Sequence, residues 1–209
     1  MKTAQKDMTK GSPGKIIFAF TVPLFIGNLF QQFYNMVDAI IVGQFVGTGA
    51  LAAVGSTGTI MFLITGLAMG MTNGFTLQVA QRFGANDMKG MRRAAVNATI
   101  LSAIVSVVMT TISVVMMKPL LTFMHTPEDI FADAYSYIII ICGGLVASML
   151  YNLLSCLMRA LGNSKVPLFF LIVAALLNVL LDLLFIIQFN MGTAGAAWAT
   201  IISQGISGL

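Results

Sequence analysis

VPLFFLIVAALLNVLLDLLFIIQF, residues 166–189, sets the terms for the whole chain. It is interrupted by polar groups only at Asn178, Asp182 and Gln188. As an α-helix the stretch would reach about 36 Å, enough to cross a hydrocarbon layer of about 30 Å. A carboxylate at the centre of such a helix costs about 2.5–3.5 kcal/mol on insertion scales. Asp182 lies between Leu180–Leu181 and Leu183–Leu184. It is therefore expected to face a bundle interior or a water-filled cavity rather than lipid.

Outward from this stretch, five further apolar runs follow the same reading, at about 17–41, 52–80, 94–117, 130–158 and 194–209. Hydrophobic residues make up 58% of the chain and charged residues 9%, against roughly 25% charged in soluble domains. The mean hydropathy is +0.93. These values exclude a soluble domain and a disordered chain. The predicted class is an all-α membrane protein with six transmembrane helices. Residues 1–16 form an N-terminal segment and 17–209 a six-span lobe. The first run is too long for a signal peptide, contains Gln31, Gln32 and Asp38, and lacks a cleavage site. The sixth run would reach only about 24 Å, so it is expected to be cut short.

Charge alternates between the runs. Lys2, Lys6, Lys10, Lys15, Arg82, Lys89, Arg92, Arg93, Arg159 and Lys165 fall on one side, ten of the eleven Lys and Arg residues. Only Lys118 falls on the other. The positive-inside rule then makes the N-terminus and the segments 81–93 and 159–165 cytoplasmic, in a multi-pass plasma-membrane protein. The net charge of +4 is thus a topology signal and not a nucleic-acid patch. Cys142 and Cys156 lie inside apolar runs and read as small buried hydrophobes. The single histidine, His125, reads as a solvated loop residue without metal-ligand spacing. Beside it, Thr126-Pro127-Glu128-Asp129 predicts a helix start, with Thr126 as the N-cap and Pro127 as the first helical residue.

The polar residues inside the runs form stripes. Gln31, Tyr34, Asn35 and Asp38 follow i, i+3, i+4, i+7 spacing on the first helix. Asn178 and Asp182 share a face of the fifth, and Thr200 and Gln204 share a face of the sixth. Carboxylate, amide and hydroxyl oxygens suit a hard cation such as Na⁺. A carboxylate away from water can instead hold a proton, because desolvation disfavours the charged form. No basic residue sits mid-membrane, so an acidic cavity is expected. Pro23 should bend the first helix. Gly66, Gly70 and Gly74 recur every four residues and predict close helix packing.

At these residues the chain resembles the multidrug and toxic-compound extrusion (MATE) family of cation-coupled exporters. The resemblance rests on Pro23 through Asp38, Val42-Gly43, Ala50–Gly55, Gln81–Ala85, Arg159–Asn163, Asn178 with Leu181-Asp182, Met191-Gly192 and Gly195–Thr200. It implies one lobe of a twelve-helix, two-lobe transporter, with a cation site at Asp38, Asn178, Asp182 and Thr200 and with Tyr34 nearby. It implies that Gln31, Tyr34, Asn35 and Gln204 line a cavity and that Pro23 governs bending of the first helix. It also implies export of amphipathic, often cationic organic compounds against inward H⁺ or Na⁺, with no other cofactor. The partner would be a missing C-terminal lobe or a second copy in a parallel homodimer.

Three other readings compete. An intramembrane aspartyl protease also uses two membrane aspartates, but its Tyr-Asp and Gly-x-Gly-Asp patterns are absent here, so an enzyme is not expected. A flippase of lipid-linked precursors would want mid-membrane Arg or Lys for its anionic cargo. A non-transporting or regulatory half remains open.

Overall fold

The computed structural model describes residues 12–208, among which every regular element is helical. The expected N-terminal segment lies mostly outside the described residues. The helices are α1 (Pro13–Ile41), α2 (Thr48–Gly84), α3 (Met88–Phe123), α4 (Glu128–Gly143), α5 (Leu145–Ala160), α6 (Lys165–Leu183) and α7 (Gly192–Ser207). α1 continues as a π-helical turn over Val42–Val46, and α6 as another over Leu184–Gln188. Four segments, Gly14–Val46, Thr48–Gly84, Met88–Phe123 and Lys165–Gln188, are long and apolar enough to cross a membrane. α4 and α5, bent by 49° at their junction, are long and apolar enough for a fifth when taken together.

The helices run further than the apolar stretches, because nothing stops them until a residue adopts a left-handed backbone. Gly47 (φ 122°), Asn86 (φ 60°), His125 (φ 53°), Gly162 (φ 80°) and Asn190 (φ 50°) mark the turns between helices. Arg82, Lys89, Arg92, Arg93 and Lys118 therefore sit on helix ends rather than in loops. Asp87 caps α3, its Oδ1 accepting from the Gly90 N–H at 2.9 Å. The expected start of α4 shifts by one residue. Pro127 has extended ψ (142°) and occupies the N-cap, so Thr126 is not the cap, while Glu128 and Asp129 do occupy the first turn.

The fourth crossing, expected as one run over 130–158, is two helices. The space that a Cβ on Gly144 would take is filled by the Ile201 side chain of α7. The bend thus receives α7 at the point where glycine leaves room. The glycine stripe of α2 behaves differently from expectation. Gly66, Gly70 and Gly74 are exposed, and a Cβ at any of them would meet no atom within 4 Å. The reason is rotational: α2 turns Ala53, Thr57, Ile60, Ala68, Thr72 and Val79 inward instead.

α2 packs against α3, α4 and α5, while α7 packs against α4, α5 and α6. α1 rests mainly on α6 and leaves Phe18, Phe25 and Phe33 exposed. The buried core joins Ile41, Val42, Met117, Leu121, Ile138, Ile141, Ile186 and Ala197. It gathers toward the weakly charged end, where the two π-helical turns contact each other.

Candidate functional site

Asp38 and Asp182 each sit about one turn or less before the π-helical turn that ends their helix. Because α1 lies along α6, their carboxyls meet side by side. Asp182 is 0% exposed, and neither of its oxygens has a hydrogen-bond partner. Asp38 is half-buried, and its Oδ1 is buried without a partner. Asn178, one turn before Asp182 and 0% exposed, directs its Nδ2 to Thr200 Oγ1 at 3.3 Å and leaves its own Oδ1 without a donor. Tyr34 Oη donates to the same Thr200 oxygen at 3.4 Å.

The result is four buried acceptor oxygens, from Asp38, Asn178 and both sides of Asp182, each without a hydrogen-bond partner. Buried polar atoms are nearly always satisfied, and each orphan costs about 1–3 kcal/mol. Two facing carboxylates have no hydrogen of their own to share, and their repulsion is relieved only when one binds a proton or both bind a cation. Chemically the two carboxylates, with the Asn178 oxygen one turn away, are acceptors suited to a proton or a hard cation.

The structure separates the other expected residues. Gln31 lines two small cavities of about 20 and 130 Å³. Tyr34 and Gln204 line the smaller, and Pro23 lines the larger. α1 runs through Pro23 as one helix. Gln204 turns to α5 and accepts from Ser148 Oγ at 2.5 Å. Asn35 is exposed and bonds only along its own helix, with Gln31 and Gln32, so it lines neither cavity.

Two further tyrosines join these surroundings without standing out in the sequence. Tyr137 of α4 is 7% exposed and lies within electrostatic reach of Asp38, Asp182 and Tyr34. Tyr151 of α5 lines both small cavities. Tyr151 is a lone aromatic in an apolar run and Tyr137 follows Tyr135 by two residues, so only a polar tip could single either out. The larger cavity also differs from the acidic one expected: Arg159 lines it, together with Asn28, Asn152, Ser155 and Ser164, and no carboxylate does. Neither Asp38 nor Asp182 lines it.

Comparison with known proteins follows the same lines. The family model described as MatE matches residues 23–184. A relative named probable multidrug resistance protein YpnP, from Bacillus subtilis, is 34% identical over 96% of this chain and 45% of its own length. A second from the same organism, probable multidrug resistance protein YoeA, is 28% identical over 97% of this chain and 46% of its own. Among solved structures, a MOP superfamily transporter from Pyrococcus furiosus described as having a binding pocket of reverse polarity superposes with a TM-score of 0.92. It is 29% identical and covers 100% of this chain and 46% of that one. The chain spans about half the length of the relatives it matches, and its fold corresponds to one lobe of such a transporter.

Proposed function

Because the chain belongs to the multidrug and toxic-compound extrusion (MatE) family, we propose that it forms the cation-coupling lobe of a cell-membrane antiporter. In this reading the transporter exports amphipathic, often cationic organic compounds against inward H⁺ or Na⁺. Asp38, Asn178, Asp182 and Thr200 hold the coupling ion, and Tyr34 orients Thr200. A second six-helix lobe supplies the other wall, since alternating access rocks one lobe against another around a midplane site.

One observation carries this reading: four acceptor oxygens, on the paired Asp38 and Asp182 and on Asn178 one turn away, are buried without a hydrogen-bond partner. A proton shared by Asp38 and Asp182 satisfies two of these at once. Na⁺ requires more oxygens, and Thr200 Oγ1 already accepts from two donors. Thr200 must therefore let go of one donor before it can join a Na⁺ shell. Binding and release of the ion would thus move Tyr34 and α1 relative to α7, which links the ion to the cavity that Tyr34 lines.

Infrared difference spectra of the purified chain test the site directly. A protonated-carboxyl band that appears on acidification and disappears in Asp38→Asn and Asp182→Asn is the expected result for H⁺. Stabilisation by Na⁺ over K⁺, lost in the same variants, is the expected result for Na⁺. In vesicles containing the two-lobe transporter, both variants should abolish ion-driven dye efflux. Unchanged efflux in both overturns the proposal.

A further inference from the structure

We propose that the cleft between α2 and α3, at the basic end of the bundle, binds the phosphate of an anionic phospholipid. The cleft encloses about 340 Å³. Two polar stripes face each other across it at one-turn spacing: Gln78 and Arg82 on α2, and Lys89, Arg93 and Asn97 on α3. Three cations thus line the space against one carboxylate, Asp87. That carboxylate is already engaged: its Oδ2 accepts from Arg82 Nη1 at 3.1 Å and its Oδ1 from the Gly90 N–H at 2.9 Å. Its charge is offset by Arg82, which leaves the positive charge of Lys89 and Arg93 facing the cleft. Asn97 and Gln78 add neutral hydrogen-bonding groups for the oxygens of a headgroup.

The position selects a lipid over a free anion. Within a turn or so of the cleft, Leu77, Val96 and Ile100 are 58%, 58% and 53% exposed. A phosphate held by Lys89 and Arg93 would sit directly above an apolar helix surface along which acyl chains can run. Basic pockets between transmembrane helices favour anionic headgroups for this reason. Arg92 provides an internal contrast. It carries the same charge on the same turn, is exposed, and does not line the cleft.

The test is native mass spectrometry of the purified 209-residue chain, offered equal amounts of phosphatidylglycerol and phosphatidylcholine. Wild type and Arg92→Gln should retain phosphatidylglycerol several-fold over phosphatidylcholine, and Lys89→Gln/Arg93→Gln should lose that preference. If the double variant loses helicity, the two single variants replace it, and each should weaken the preference. Equal retention of the two lipids by wild type overturns the proposal. So does an equal loss in Arg92→Gln, which would reduce the effect to net charge. Displacement of the lipid by excess inorganic phosphate would assign the cleft to a free anion and overturn the lipid assignment. The Asp38 and Asp182 variants should leave the preference intact, which keeps this test separate from that of the coupling site.

Discussion

Thr200 Oγ1 accepts from Tyr34 on α1 and Asn178 on α6, at 3.4 and 3.3 Å. Its removal by Thr200→Val strands two buried donors while keeping the side-chain shape. The expected loss is about 1–3 kcal/mol, read as a lower midpoint in thermal unfolding of the purified chain. Thr200→Ser should restore most of it. The stripe of Gln31, Tyr34, Asn35 and Asp38 was legible from spacing, but which of its members turn inward was not. Successive residues on a helix are rotated by about 100°, so Tyr34 and Asn35 occupy opposite edges of the stripe. With α1 packed mainly on α6, one edge meets Thr200 and the other meets the outside. Gln204 shows the same limit: one turn from Thr200, it belongs to a different contact, with Ser148.

Among the elements, the break at Gly144 could not be read from an apolar run that continues on both sides of it. It exists because Ile201 of α7 occupies the place of a side chain there. Gly144→Ala should force α7 away, at a cost of about 1–3 kcal/mol as for other overpacked sites. Gly144→Ala/Ile201→Ala should recover stability beyond the sum of the single effects, as measured in a double-mutant cycle of thermal or denaturant unfolding. Gly70→Ala should behave oppositely. Nothing lies within 4 Å of the place its Cβ would take, so alanine's higher helix propensity should be neutral or stabilise the chain by up to about 1 kcal/mol. Equal spacing in Gly66, Gly70 and Gly74 suggested packing because periodicity reports a common face without reporting what that face meets.

For the molecule as a whole, the asymmetry of Lys and Arg yields an orientation that labelling can check. Cys142 and Cys156 are buried, so background reaction with a membrane-impermeant thiol reagent should be low. Lys89→Cys should label only when the reagent reaches the cytoplasmic side, and His125→Cys only from outside. Labelling of both from one side would overturn the assignment. The basic end also carries the α2–α3 cleft and the Arg159-lined cavity, while the packed core gathers at the other end.

Membrane residence, the apolar runs and the basic end were all readable along the chain, and so was the anomaly of Asp38 and Asp182. Each follows from transfer costs that accumulate residue by residue and need no neighbour from elsewhere. The pairing of those two acids, the hydrogen bond that spans 166 residues from Tyr34 to Thr200, the insertion of Ile201 at Gly144 and the outward turn of the glycine stripe required the folded bundle. They depend on how each helix is rotated and which helix lies beside it. Those choices are made by packing between distant segments, where many rotations share the same local hydrophobicity but only one fills the space.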